Sequence, residues 1–398
     1  MAKTFASFYF TKIDPDYSVK GSRDPLALQV LWQHQGKRLI PYLSTVSSNI
    51  HDFQIFCLAH YFYEREADVN FPKFFMRFEQ LMAYVRCDSE FSGIGFNGIE
   101  AARKRLTESS RISVSNTAED NILSNQRAYG IWGKYARPFN DIGFVKKENF
   151  RDVFDSKINA LVEKELVIKI VNKVLKNNQS NFNVAELSVC KQLLSITKKE
   201  VEFYTTNILL VNSSNPYQNV LFDFVSKNKL PKEFNLYDFI NAFSKSLSAD
   251  NLILKNILKE TIITEQLISP INQIFRYIQT KPIWNKSEIL KDTYINQCKH
   301  VVNYSFADDS EQNKTKNQFI QTLQKDNWNL MIDLIEKNQE VTDWRGGSPW
   351  MTIQKNLVEV HHADGGFVNP DYDPNSYYTN GYFIDTYLSL YRQINAPK

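Results

Sequence analysis

The chain has 398 residues, 43% of them apolar and 23% charged, a globular balance that argues against disorder. Its net charge of +3 is too small to announce a nucleic-acid binder by itself, and no apolar run reaches the roughly 20 residues needed to cross a bilayer. The cysteines (Cys57, Cys87, Cys190, Cys298) form no CxxC pair and MAKTFASFYF lacks the design of a signal peptide, so a soluble cytoplasmic protein is expected.

In chain order, FASFYF reads as a short strand and DPLALQVLWQHQ as a helix, with Asp24 as N-cap and Pro25 at the first helical position. Helices follow over 49–63 and 71–86. In the second, Phe71, Phe74, Phe75, Phe78, Leu81, Met82 and Val85 recur at helical spacing, and such a stripe predicts core. GIGFNG (93–98) matches G-x-G-x-x-G. Dinucleotide binding by that motif needs a preceding strand and a following helix whose N-terminus meets the pyrophosphate. The preceding FEQLMAYVR is helical and no βαβ pattern surrounds the motif, even with Glu119 further on. A helix-to-helix turn into IEAARKRL is expected, and no cofactor. Residues 1–100 are read as a mixed, mainly helical N-terminal domain.

The next segment, 101–178, is basic and aromatic. Beyond Glu100 and as far as Arg151 it holds ten Lys or Arg against five Asp or Glu. In SNQRAYGIWGKYARPF, the spacing of Arg127, Lys134 and Arg137 puts them on one face of a continuous helix, with Tyr129, Trp132 and Tyr135 interleaved. A helix ending near Pro138, a short loop and a helix from Phe150 suit a winged-helix-like or helix-turn-helix unit. Arg103, Lys104, Arg105, Arg127, Lys134, Arg137, Lys146 and Lys147 are the candidate nucleic-acid-binding residues. Their charges would neutralise phosphates, while Asn125, Gln126 or Arg127 reach base edges. The plainer alternative is a solvated basic face, aromatics turned inward, with Gly130 and Gly133 allowing close helix packing.

No glycine lies between Gly143 and Gly346, so this long stretch is poorly suited to hairpins. Val153, Phe154, Ile158, Leu161, Leu166 and Ile170 predict one amphipathic helix over 150–177. Further helical patterns follow, from NVAELSVCKQLLSITKKEVEFYTTNILLV to NQFIQTLQKDNWNLMIDLIEKN, with Asn, Ser and Pro between them as caps and stops. Residues 179–340 are expected to form a helical array without a fixed repeat.

The last segment, 341–398, contains WRGGSPWMTIQKNLVEVHHADGGF. MTIQ and LVEV, around Lys355-Asn356, predict a hairpin that pairs Met351 with Val360 and Ile353 with Val358. Neighbouring strand residues face opposite ways, so His362 joins the apolar side and His361 joins Glu359 on the polar side. Two such histidines do not share an ion without a bulge. Asp364, Asp371 and Asp373 lie in a turn-rich loop, and His300 would add a ligand only if the fold brought it near, so no metal is expected. NGYFIDTYLSLYRQI then makes a helix whose Tyr382, Phe383, Tyr387 and Tyr391 dock on the hairpin or on a partner protein. The expected class is mostly α: a mixed N-terminal domain, a winged-helix-like unit, a helical middle and a small α+β C-terminal cap.

RDPLALQVLWQHQGKRLIPYLSTVSSNIHDFQ, SNQRAYGIWGKYARPF, and GGSPWMTIQKNLVEV with NGYFIDTYLSLYRQI resemble segments of uncharacterised bacterial proteins. Those are accessory subunits encoded beside an ATPase or nuclease in defence loci against phages and plasmids. The resemblance carries no catalytic motif, so no residue role comes with it. It implies a non-catalytic subunit of a cytosolic assembly, with an ATPase or nuclease and double-stranded DNA as partners. Since no G-x-S-x-G, P-loop or H-E-x-x-H is present, no catalytic residue is named. The alternatives are a metal-dependent nuclease built from scattered carboxylates and a protein-only scaffold.

Overall fold

A computed structural model describes residues 24–64, 69–87, 95–210, 215–229, 233–299, 302–363, 365–375 and 377–395. The expected strand FASFYF, the first two residues of GIGFNG, His300 and Asp364 lie outside them. The described residues are mostly helical, with two small antiparallel sheets. In chain order they form α1 (Leu28–Lys37), α2 (Ile50–Tyr63), α3 (Phe71–Cys87), α4 (Ile99–Glu108) and β1 (Arg111–Ser115). Next come α5 (Gln126–Tyr129), α6 (Ile131–Ile142), α7 (Phe150–Asn159), α8 (Lys164–Lys176), β2 (Gln179–Asn183), α9 (Lys198–Tyr204) and α10 (Pro216–Lys227). Then follow α11 (Leu236–Ser246), α12 (Leu252–Ile278), β3 (Ile283–Asn285), α13 (Lys286–Lys291) and α14 (Thr293–Cys298). The remainder is α15 (Glu311–Gln324), α16 (Asn327–Trp344), β4 (Met351–Gln354), β5 (Leu357–Val360) and α17 (Ile384–Ile394).

The chain divides into two compact units, Lys37–Phe234 with Phe383–Lys398, and Met1–Gly36 with Asn235–Tyr382. Both are assembled from separated segments, so they cut across the four consecutive domains expected from composition. Long-range hydrogen bonds explain the difference. In the first unit, Ile50 N donates to Gln393 Oε1 (3.0 Å) and Gln393 Nε2 donates to Ser48 O (2.7 Å). In the second, Asn338 donates to Pro25 O (3.1 Å) and accepts from Trp350 N (2.8 Å). Periodicity within one segment carries no signal of such pairings.

In the first unit, α2 and α3 supply the aromatic core. Phe53, Phe56, Phe62, Phe74, Phe75, Phe78, Leu81, Met82 and Val85 are buried, as the stripe on α3 predicts. Arg77, Glu79, Gln80 and Arg86 on α3 are buried with them, and each ties down another element. Arg77 donates to Val174 O and Leu175 O (3.0 and 3.2 Å), closing the end of α8. Gln80 pairs with the backbone of Ser115 in both directions, at 2.9 and 3.0 Å. Arg86 meets Asp52 of α2 at 2.6 Å. Polar groups on the buried part of a helix must find such partners or lose about 1–3 kcal/mol each.

Three expectations are corrected here. The single helix over 150–177 is two helices, α7 and α8, with Val162 89% exposed in the turn between them. The five-residue step from Leu161 to Leu166 breaks the 3.6-residue period, and Leu166 is exposed. The basic helix is interrupted at Gly130 (φ −80°, ψ −167°), giving α5 and α6. Its second half does not stop near Pro138. It runs to Ile142 and ends on Gly143, whose φ of +70° and N–H bond to Phe139 O close the turn (3.0 Å). β1 and β2 pair from Arg111↔Asn183 to Ser115↔Gln179, so the glycine-free stretch contributes a strand without needing a hairpin turn.

In the second unit the β4–β5 register is as expected, with Met351 opposite Val360 and Ile353 opposite Val358. Lys355 takes the left-handed turn position at φ +56°. Met351 and Val358 are buried. An unexpected strand, β3, pairs with β5 (Trp284↔Val358) and gives the order β3-β5-β4. The Asp24 carboxylate caps α1 by accepting from Leu28 N and Gln29 N (2.9 and 3.1 Å). The helix therefore starts after Pro25 rather than on it.

Candidate nucleic-acid interface

The basic-aromatic segment is organised by a loop over 116–125, α5 and the start of α6, all laid against α3. Arg105 holds the loop: its guanidinium donates to Asp120 O, Glu119 O and Asn121 O (2.7, 2.6 and 2.8 Å) and to Tyr84 Oη (2.9 Å). Glu79 holds the break between the helices, accepting from Ile131 N (2.6 Å) and Gln126 Nε2 (3.2 Å). Burial pushes its carboxyl up to about 7. A Cβ on Gly130 would lie 2.4 Å from Glu79 Oε1, and one on Gly133 would lie 1.9 Å from Ala128 O. Both glycines therefore serve close approach. Gln126 is buried and fully engaged, accepting from Gln80 Nε2 and Ile122 N and donating to Met76 O and Glu79. It shapes the loop and is not turned toward a base.

These supports leave an open cleft of about 280 Å³ lined by Pro72, Lys73, Met76, Asn116, Asn121, Ser124, Asn125, Gln126, Arg127 and Trp132. No carboxylate of the described residues lines it. Trp132 closes one side and packs behind on Phe56, Phe71 and Phe75, with ring centroids 5.5–5.8 Å apart. Asn116 is engaged, donating to Lys73 O (2.9 Å) and accepting from Arg77 Nη1 (2.5 Å). Asn125 Oδ1 caps α5 by accepting from Ala128 N (3.1 Å). The side chains of Lys73 and Arg127 are exposed and have no hydrogen bond or ion pair among the described residues.

The other basic candidates are dispersed. Arg103 and Lys104 are exposed on α4 beside Glu100 and Glu108 (3.2 and 3.8 Å), and Arg137 lies 3.6 Å from Asp141. Lys146 and Lys147 sit on the turn after α6. Lys134 is not on a common face with Arg127. It lines a separate cavity of about 10 Å³ with Asp52, Glu79 and Arg86, room for one water, and burial lowers its pKa. Arg105 is consumed by the loop.

The aromatic set named at the C-terminus is largely internal: Tyr382, Phe383 and Tyr387 are buried. Tyr382 and Phe383 precede α17 in left-handed conformations (φ +49° and +64°), so they do not share a helical face with Tyr387. Tyr382 donates to Glu265 and Tyr387 to Leu209 O (2.9 and 3.2 Å). Tyr391 remains half-exposed, edge-on to Phe222.

Among the described residues nothing elsewhere forms a reactive cluster. His361 Nε2 bonds Thr352 Oγ1 (2.8 Å), while His362 packs edge-on against Trp350 (4.4 Å). Among the described residues no group of three or more His, Cys, Asp or Glu is placed to hold a metal ion. Burial pushes the Cys190 and Cys298 thiols up to about 12 and raises Cys57 as well, opposite to a reactive thiolate. No helix in the described residues is long and apolar enough to cross a membrane. GIGFNG, where described, is a turn into α4 with Gly98 at φ +91° against Ile122 O, with helix α3 preceding it.

No protein-family model, curated protein or solved structure matches this chain.

Of the cleft residues, sequence reasoning named Asn125, Gln126, Arg127 and Trp132. It missed Pro72, Lys73, Met76, Asn116, Asn121 and Ser124. The available signal was the polar set in FMRFEQLMAYVR, since Arg77, Glu79 and Gln80 inside an apolar helix announce buried partners.

Proposed function

We propose that the protein is a non-catalytic, nucleic-acid-contacting subunit of a larger assembly, and that contact runs through the cleft beside α5. One observation carries this: Arg127 and Lys73 are brought to one cleft, side by side with Trp132 and with no carboxylate among its described lining residues, although 54 positions separate them in sequence. Cations without a neighbouring acid are available to phosphates, and an aromatic beside them offers a surface for bases. The dispersed cations on α4 and after α6 would add only a weak, screened field. Lys73→Ala with Arg127→Ala should weaken binding and flatten the plot of log affinity against log salt. The expected change in slope is about 1.4 on a single strand or about 1.8 on a duplex, two phosphate contacts in either case. An unchanged slope in the folded double variant overturns the proposal.

A further inference from the structure

Resting on that reading, we infer that the cleft receives one unpaired nucleotide, base inward and phosphate at the rim, so that the nucleic acid engaged is single-stranded. Shape is the first reason. Proteins read a duplex by laying a convex helix or ribbon into its groove. Here α5 has four residues, the chain breaks at Gly130, and the adjoining surface is a concave space of about 280 Å³. A base enters such a space only after leaving its stack.

Chemistry is the second reason. Asn125 Oδ1 is committed to Ala128 N (3.1 Å), which leaves its amide NH₂ as a donor. With the Arg127 guanidinium, the Lys73 ammonium and the Trp132 indole N–H it makes the described lining rich in donors, and Asn121 and Ser124 offer both a donor and an acceptor. A donor-rich space with no carboxylate among its described lining residues suits an acceptor-rich anion. Pro72, Met76 and Trp132 give the same space an apolar side against which a flat ring stacks. A base with its phosphate meets both requirements, whether it comes from a strand or from a free mononucleotide.

The test uses the full chain at low salt and fluorescence anisotropy of a short labelled DNA strand. Its duplex, an abasic strand of equal length, and AMP or GMP as competitors complete the set. The strand should bind at least about tenfold tighter than the duplex or the abasic strand. Asn125→Asp keeps the helix cap, because Asp caps as Asn does, and sets a carboxylate in the cleft; it should lower strand affinity by about tenfold. If strand, duplex and abasic strand bind alike, or Asn125→Asp binds as the parent does, the single-nucleotide inference falls while nucleic-acid contact stands. Mononucleotide binding without strand binding would keep the cleft's ligand chemistry, assign it to free nucleotides and end the nucleic-acid reading. If no probe binds, both fall.

Discussion

Glu79 on α3 and Glu265 on α12 are both buried carboxylates, one in each unit, and both clamp backbone that no regular element satisfies. Glu265 accepts from Thr379 N and Oγ1, from Asn380 N and Nδ2, and from Tyr382 Oη, at 2.7–3.2 Å. It thereby fixes the loop that carries the left-handed Tyr382. Glu79 has the Ile131 N–H and the Gln126 amide, and faces the Asp52–Arg86 pair. Burial raises both pKa values, and in each case the hydrogen bonds oppose the rise. The lesson is one of degree. A carboxylate surrounded by donors is a fixed anchor, whereas one with few donors sits within reach of a proton near neutral pH.

The largest expected effect is at the better-satisfied glutamate. Glu265→Ala leaves buried donors without an acceptor and should destabilise the protein by about 2–4 kcal/mol in urea unfolding. A loss below about 1 kcal/mol would show that the loop does not depend on this clamp.

A smaller and pH-dependent effect belongs to Glu79. Its folded pKa of about 7 lies above the ordinary 4.5, so between those values the folded state holds a proton that the unfolded state has released. Stability from this group therefore falls as pH rises from 4.5 toward 7. His60, lowered by burial to about 4 between Phe71 and Phe139, acts in the opposite sense, losing stability as pH falls from 6.5 toward 4. The Glu79 contribution is therefore read as parent minus Glu79→Gln: the parent's relative melting temperature should decline between pH 5 and 7.5. A difference that is flat across that range would place the Glu79 carboxyl near its ordinary affinity.

The smallest effect is expected at the surface. Lys104→Ala removes an exposed contact to Glu108 at 3.8 Å and should change stability by less than about 0.5 kcal/mol. A larger loss would mean that α4 depends on its charges, and that the contrast between buried clamps and exposed pairs is overdrawn.

Some of this architecture was legible in advance. The core face of α3 and the hairpin register from Met351 to Val360 follow from side-chain period alone. The continuous basic helix did not survive, because the close approach of Gly130 to Glu79 is a contact between positions 51 residues apart. Nor did the aromatic docking face, since two left-handed residues turn the chain before α17.

The sequence by itself determined the mostly helical class, the buried aromatic stripes and the pairing of the C-terminal hairpin, because these rest on local period and turn chemistry. Only the tertiary structure decided which cations are free. Arg105 is spent on three loop carbonyls, Lys134 is drawn toward buried carboxylates, and Lys73 is brought to Arg127 across the fold. Charge is written in the chain, but its availability depends on partners distant in sequence.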